Sequence, residues 1–231
     1  MAAQLKSLAQ VSVASTPATV RPAFWPQAKR CLRAADPTLA SVIARHPRIH
    51  LVSRGDGFAT LARSIVGQQI SVKAADSVWT RLKERCPEMT PREVLGRRIP
   101  TLRACGLSER KAQYLRDLAR HFADGRIDLQ QLARQSDDAV IGCLTDIRGI
   151  GRWTAEMFLI FNLLRPDVLP LDDLGLLKAI GRLYFGGEST TALLRGPGRD
   201  KVAQLGARWA PYRSVATWYL WRSLDPVPVE Y

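Results

Sequence analysis

The chain has 231 residues, of which 46% are hydrophobic, enough to bury one large domain or two small lobes. It carries 34 Lys and Arg against 21 Asp and Glu, a net charge of +13. Such an excess favours a polyanionic partner such as nucleic acid, although solvated basic faces would account for it equally well. No apolar run approaches the roughly 20 residues that span a bilayer, so no membrane partner is expected.

The first 22 residues lack acidic side chains and are rich in Ala, Ser, Thr and Val. They show no basic start followed by an apolar block, so we predict a flexible tail over 1–22 rather than a secretory signal, and a helical domain over 23–231. The cysteines show no CxxC spacing, which predicts reduced thiols of a cytosolic protein and neither a zinc site nor an iron–sulfur cluster. These cysteines are Cys31, Cys86, Cys105 and Cys143.

Helical periodicity dominates the rest of the chain. Phe58, Leu61 and Ile65 fall on one helical face just after Asp56, a residue suited to cap a helix. Further helix-start signals are Asp36-Pro37, Ser71, the capping box Thr90 to Glu93, Ser108 and Ser136. No sustained apolar–polar alternation predicts strands. We therefore expect about ten helices in an all-α fold.

The most informative stretch runs from Leu144 to Ala155 and reads LxxIxGIGxxTA. An apolar helix is predicted to end near Leu144, and a second one to run from Arg152 to about Leu164. The Gly-Ile-Gly turn between them lets the backbone approach a ligand closely, and the free N–H groups of the second helix favour an anion. A phosphate held in this way is bound without regard to base sequence.

This pattern resembles the helix-hairpin-helix motif of the DNA glycosylase superfamily, with the motif at about 137–164. The resemblance implies a two-lobed, all-α fold and no required cofactor. The phosphate contacts that it implies are Gly149, Gly151 and Thr154. It also implies a structural monovalent cation, Na⁺ or K⁺, at the hairpin. The cation ligands that it implies are the main-chain carbonyls of Thr145, Ile147 and Ile150.

An acidic pair, Asp172 and Asp173, follows a Pro-containing loop, and Asp173 lies 22 residues after Gly151. A carboxylate beside the sugar would stabilise the positive charge that develops when an N-glycosidic bond breaks. From spacing alone, either acid could equally cap the helix that begins at Leu174. The segment resembles the superfamily's hairpin–Gly/Pro loop–Asp signature, which implies that Asp173 is the catalytic acid.

Bifunctional members of the superfamily carry a lysine where this chain has Trp153, so the resemblance implies a monofunctional enzyme that uses water as its nucleophile. An indole face attracts cationic alkylated purines. This attraction predicts that Trp153 lines the base pocket. The stretch from Arg208 to Trp221 closely resembles the C-terminal helix of bacterial 3-methyladenine DNA glycosylase II enzymes, which implies that Trp221 lines the pocket as well. Core packing is the competing interpretation for both tryptophans.

The turn Gly67-Gln68-Gln69-Ile70-Ser71 resembles the family loop that fills the gap left by the flipped base, so the wedge role falls on Gln69. A simple polar turn explains these residues equally well. The resemblance covers most of the chain but departs at the front, where we find no trace of the extra N-terminal β lobe of the known bacterial enzyme.

The function implied is a monofunctional DNA glycosylase of base excision repair, a monomer in a bacterial-type cytoplasm. It would hydrolyse the N-glycosidic bond of alkylated purines, 3-methyladenine and related bases, flipped from damaged double-stranded DNA. The alternatives are a non-catalytic helix-hairpin-helix DNA-binding module and a glycosylase for other damaged bases. A bare phosphate grip would need neither Asp173 nor Trp153.

Overall fold

A computed structural model of the chain describes residues 21–53 and 55–224. All regular secondary structure within these ranges is helical, and the predicted all-α class is confirmed. The first seven helices are α1 (Trp25–Ala35), α2 (Pro37–Arg45), α3 (Gly57–Gly67), α4 (Val72–Arg85), α5 (Pro91–Leu95), α6 (Ile99–Ala104) and α7 (Glu109–Ala123). The next seven are α8 (Leu129–Arg134), α9 (Asp137–Thr145), α10 (Arg152–Phe161), α11 (Leu174–Tyr184), α12 (Thr190–Leu193), α13 (Gly196–Ala207) and α14 (Arg213–Leu224).

The predicted helix starts are present in the structure. Each capping side chain accepts a hydrogen bond from a backbone N–H of the first turn, which otherwise has no partner within the helix. The confirmed caps are Asp36, Asp56, Ser71, Thr90 with its capping box, Ser108 and Ser136. The described ranges hold fourteen helices rather than about ten because α5, α6, α8 and α12 are only four to six residues long. Helices this short show too little periodicity to be read from sequence, although the capping box at Thr90 marked the start of α5.

The helices pack in two groups. Helices α3 to α7, α9 and α10 make their main contacts with one another, notably α7 with α3, α5 and α6, and α10 with α3 and α9. Helices α1, α2, α11 and α14 form the second group, to which α12 and α13 are attached. One continuous apolar core runs through both groups. The link from α10 to α11 passes from the first group to the second, so residues 162–173 lie at their junction.

Asp36 ties the second group together. Its carboxylate is almost fully buried and accepts hydrogen bonds from the Leu39 N–H, the Tyr184 hydroxyl and the Trp209 indole, the last two at 3.0 and 2.9 Å. Burial, together with the nearby Asp36 charge and hydrogen bond, raises the pKa of the Tyr184 hydroxyl far above its ordinary value. A buried acid satisfied by three donors fixes the helices that carry them.

Two boundaries differ from those predicted. Most of the predicted tail, residues 1–20, lies outside the described residues, and so does most of the segment in which no β lobe was expected. Pro22, predicted within the tail, is buried, and its carbonyl accepts a hydrogen bond from Trp25. Helix α10 ends at Phe161 instead of near Leu164, because Leu164 adopts the left-handed conformation at φ 52°. No helix in the described part of the chain is long and apolar enough to span a membrane.

Candidate active site and DNA-binding hairpin

The predicted hairpin consists of α9, a tight turn, and α10. The side chains of Ile147 and Ile150 are buried, and the Ile150 N–H donates to the Ile147 carbonyl at 3.0 Å. Gly151 is the N-cap residue of α10 and offers no side-chain cap; the first bonded N–H is that of Ala155, which donates to the Gly151 carbonyl. The N–H groups that precede Ala155 therefore lack partners within the helix, as an anion site requires.

The two hairpin glycines serve different purposes. Gly149 has a φ of +88°, and a Cβ there would overlap the ring of Tyr114. Gly151 has an ordinary φ of −95°, and a Cβ there would meet no atom within 4 Å. Gly149 is thus required by the fold itself, whereas Gly151 keeps open the space in front of the α10 N-terminus.

The remaining predicted hairpin residues lie at the end of α9 and at the start of α10. Thr154 is buried and lies in the first turn of α10, where backbone N–H groups have no partner within the helix. The carbonyls of Thr145 and Ile147 lie at the end of α9, where the helix dipole is negative. The Ile147 carbonyl accepts one hydrogen bond and keeps a second lone pair. These groups fit a monovalent cation.

Asp117 on α7 anchors the hairpin turn. Its carboxylate accepts hydrogen bonds from the Arg148 backbone N–H at 3.0 Å and from the Arg148 guanidinium at 3.1 Å. Burial would raise the pKa of Asp117, but the two hydrogen bonds and the charge of Arg148, together with His121, outweigh it and hold this pKa below its ordinary value.

We expect the Asp117 anchor to make stability depend on pH. Because the folded-state pKa is lowered, its contribution is complete above the unfolded pKa of about 4 and is lost as pH falls through the folded value. Asp117→Asn should cost about 1–2 kcal/mol at pH 7, and the difference from the wild type should shrink below about pH 4. Urea unfolding at several pH values measures this difference. Asp124→Asn, at an exposed ion pair with Arg126, is the control, and a difference independent of pH would contradict the assignment.

Asp173 lies at the junction of the two helix groups and accepts three hydrogen bonds. The Trp153 indole donates to Oδ2 at 2.9 Å, the Trp221 indole donates to Oδ1 at 2.8 Å, and the Leu176 N–H donates to Oδ1 at 2.6 Å. Asp173 therefore caps α11 and also brings together the two predicted pocket tryptophans, so the two interpretations are compatible. Asp172 instead forms an ion pair with Arg199.

The surroundings of Asp173 are open on one side. Asp173 is 8% exposed, while Trp153 is 37% and Leu174 is 60% exposed. Trp221 is half-buried and stacks on Phe161, with ring centroids 5.7 Å apart and planes at 10°. A cavity of about 590 Å³ adjoins the neighbouring residues Asp172 and Leu174, but Asp173, Trp153 and Trp221 do not line it. Its lining residues are Asp172, Leu174, Leu194, Arg195, Gly196 and Arg199.

Two arginines flank the hairpin turn, and each has an acidic partner. Arg148 pairs with Asp117, and Arg152 pairs with Glu156 at 3.0 Å; both arginine side chains remain more than half exposed. Glu156 is buried, and this burial raises the pKa of its carboxyl despite the neighbouring Arg152. The exposed guanidinium groups leave positive charge at the mouth of the hairpin.

The loop between α3 and α4 faces the hairpin. Gln69 is exposed at its tip and has a φ of 58°, rare for a residue other than glycine. The Gln68 amide donates to the Gly149 carbonyl at 2.7 Å, and the Lys111 ammonium donates to the Val66 and Gln68 carbonyls. The candidate wedge residue therefore stands on a loop that is attached to the hairpin turn.

Comparison with known proteins decides the family. A family described as HhH-GPD superfamily base excision DNA repair protein matches residues 62–197, which include the Gln69 loop, the hairpin and Asp173. The chain belongs to this superfamily. The predicted resemblance to the DNA glycosylase superfamily is confirmed.

Individual HhH-GPD relatives are similar over most of their length. DNA-3-methyladenine glycosylase 1 of Schizosaccharomyces pombe is 33% identical over 189 residues, which span 80% of this chain and 80% of that protein. The crystal structure of DNA-3-methyladenine glycosidase from Bacillus halodurans matches with a TM-score of 0.75 and 35% identity, over 87% of this chain and 89% of that one. The S. pombe 3-methyladenine DNA glycosylase, solved in complex with abasic DNA, matches with a TM-score of 0.71 and 30% identity, over 88% and 100%.

Several residues that hold this HhH-GPD site together were not predicted from the sequence. Gln68, Lys111, Tyr114 and Asp117 all contact the hairpin or the loop facing it from distant positions in the chain. Only the position of Gln68 beside the predicted wedge residue could have drawn attention to it. The other three lie on an ordinary amphipathic helix, and their sequence carries no signal of these contacts.

Proposed function

We propose that this protein is a monofunctional DNA glycosylase. It hydrolyses the N-glycosidic bond of alkylated purines, 3-methyladenine and related bases, in duplex DNA. One observation carries the proposal. The carboxylate of Asp173 accepts hydrogen bonds from the indole N–H groups of Trp221 and of Trp153, which lies in the first turn of α10. Relatives named as 3-methyladenine glycosylases support the choice of substrate class. The complex of one of them with abasic DNA supports DNA as the partner.

The geometry suggests which residues bind the phosphate, which bind the base and which stabilise the transition state. The N–H groups at the start of α10 bind a phosphate, with Gly151 leaving room for it. The exposed face of Trp153 receives the flipped, positively charged base through cation–π attraction. Asp173 faces the sugar, where its charge stabilises the oxocarbenium-like state and orients the attacking water. A cationic purine is a good leaving group, so little general-acid help is needed.

Release of free bases from methylated DNA tests the proposal. Duplex DNA treated with a methylating agent is incubated with the protein, and the liberated bases are separated by chromatography. We expect 3-methyladenine among the products, and the same chromatogram reports 7-methylguanine, ethenoadenine or hypoxanthine if those lesions are supplied. Retained DNA binding without release of any base would favour the non-catalytic DNA-binding module instead.

Monofunctionality rests on Trp153, which has no amine with which to form an imine with the sugar. We expect Trp153→Lys to gain no strand-nicking activity. Position 153 is more than one-third exposed and faces Asp173, so an ammonium introduced there would remain protonated at neutral pH. Borohydride trapping on DNA that contains a lesion measures imine formation, with Trp153→Met as the control. Efficient trapping by the lysine variant alone would contradict this account.

The proposal includes the surroundings of the reaction. The enzyme would act as a monomer on damaged double-stranded DNA in the cytoplasm. A Na⁺ or K⁺ ion, held by the main-chain carbonyls of Thr145, Ile147 and Ile150, would add positive charge beside the bound phosphate. The carbonyls at the end of α9 and the free lone pair of Ile147 support this cation site.

A further inference from the structure

Three side chains on one side of α7 contact the two DNA-facing loops. Lys111, Tyr114 and Asp117 are spaced three residues apart, which places them within about 120° of the helix circumference. All three are partly buried. None of them contacts Asp173 or its tryptophans in the hydrogen bonds of the described residues, so their role lies outside the chemical step.

Lys111 holds the loop that carries Gln69. Its ammonium donates to the Val66 carbonyl at 2.8 Å and to the Gln68 carbonyl at 2.6 Å. These carbonyls stand at the C-terminal end of α3, where intrahelical partners run out and a cation is favoured. Burial lowers the pKa of Lys111. The backbone immediately before Gln69 is thereby fixed, which orients the exposed tip of the loop.

Tyr114 and Asp117 hold the hairpin turn, the first by packing and the second by hydrogen bonds. The Tyr114 ring packs so closely on Gly149 that a Cβ there would overlap it, and Asp117 binds the backbone and side chain of Arg148. The Gln68 amide then joins the two loops directly through the Gly149 carbonyl. Helix α7, the loop and the hairpin thus form a closed ring of contacts.

We propose that α7 is a strut for base flipping: Lys111, Tyr114 and Asp117 are positioning residues that fix the spacing between the Gln68–Gln69 loop and the phosphate-binding turn. The inference rests on the proposed glycosylase function. Between the two attached loops lies a groove of about 590 Å³, lined among others by Gln69, Arg110 and Gly151. A DNA strand in this groove would meet the loop tip at a set distance from its gripped phosphate.

The strut has a consequence that ordinary stabilisation lacks. Extruding a paired base costs a few kcal/mol of unstacking and unpairing, whereas a base without a partner costs less to extrude. If the distance between the Gln68–Gln69 loop and the hairpin turn is no longer fixed, base extrusion should therefore be impaired mainly where a base pair must be broken. Chemistry on an already unpaired base should continue, because Asp173, Trp153 and Trp221 remain in place.

The test compares Lys111→Met, which keeps the aliphatic stem and loses the donors, with Arg120→Met, which removes one exposed charge from the same helix. Single-turnover release of 7-methylguanine is measured opposite cytosine and opposite a tetrahydrofuran residue, which offers no pairing partner. We expect Lys111→Met to slow the paired substrate about tenfold and the unpaired one less than about twofold. Arg120→Met should leave the ratio of the two rates unchanged. Gln68→Ala should reproduce the Lys111→Met pattern, so the test does not depend on one variant folding.

A second readout does not require base release. The fluorescence of 2-aminopurine placed beside a 7-methylguanine paired with cytosine rises when the stack opens, and Lys111→Met should reduce this rise at saturating protein. Equal slowing of both substrates, or no slowing of either, would overturn the strut. If the wild type released no base from either substrate, the glycosylase proposal would fail, and the fluorescence change would still decide whether α7 positions the loop.

Discussion

Asp173→Asn is expected to abolish most base release while DNA binding persists. The substitution removes the negative charge that would face the developing oxocarbenium ion, and electrostatic stabilisation of this kind is worth about 10²–10³ in rate. An amide oxygen can still accept the hydrogen bond from the Leu176 N–H, but its NH₂ group must face one of the two indole donors. We therefore expect a modest loss of thermal stability in addition to a large loss of catalysis.

The matched control is Asp172→Asn, one residue away. Asp172 carries the same charge, is exposed, and pairs with Arg199 instead of the indoles. Single-turnover release of methylated bases and DNA affinity by fluorescence anisotropy should be measured for both variants. Asp172→Asn should keep base release within about threefold of the wild type, as expected for an exposed ion pair. Full activity of the Asp173 variant, or an equal loss in both, would refute the assignment of the catalytic acid.

The sequence predicted local features of this protein better than long-range ones. Helix caps such as Asp56 and Ser136 are local, because the side chain and the N–H that it caps lie three residues apart. The Gly149 turn and Asp173 were found because their spacing along the chain resembles a family signature. The chemistry of that signature was therefore accessible before the fold was described.

Contacts between distant segments were not accessible in this way. Nothing near Tyr114 or Asp117 in the sequence indicates that these residues meet the hairpin more than thirty residues later. Trp153 and Trp221 were each assigned to a pocket, but only the fold shows that both indoles donate to one carboxylate. The different requirements of Gly149 and Gly151 likewise depend on backbone angles and neighbours that spacing does not specify.

Those two glycines give the second large prediction. Gly149→Ala should destabilise the protein by about 2–5 kcal/mol, because a side chain at positive φ costs about 1–2 kcal/mol and overpacking against Tyr114 adds about 1–3 kcal/mol. Gly151→Ala should leave stability within about 0.5 kcal/mol, since its φ is ordinary and its Cβ would face open space. Urea unfolding of the two variants measures this contrast.

The variant that keeps its stability, Gly151→Ala, is the one that should lose DNA affinity. A methyl group at position 151 stands where a phosphate would approach the free N–H groups of α10, so Gly151→Ala should weaken binding about tenfold or more on every duplex, whatever its sequence. In Gly149→Ala, a second substitution, Tyr114→Ala, should recover part of the lost stability by removing the overlap, leaving the cost of the positive φ. A sequence-dependent loss of affinity in Gly151→Ala would mean that the turn contacts bases, and the hairpin would then not be a phosphate grip.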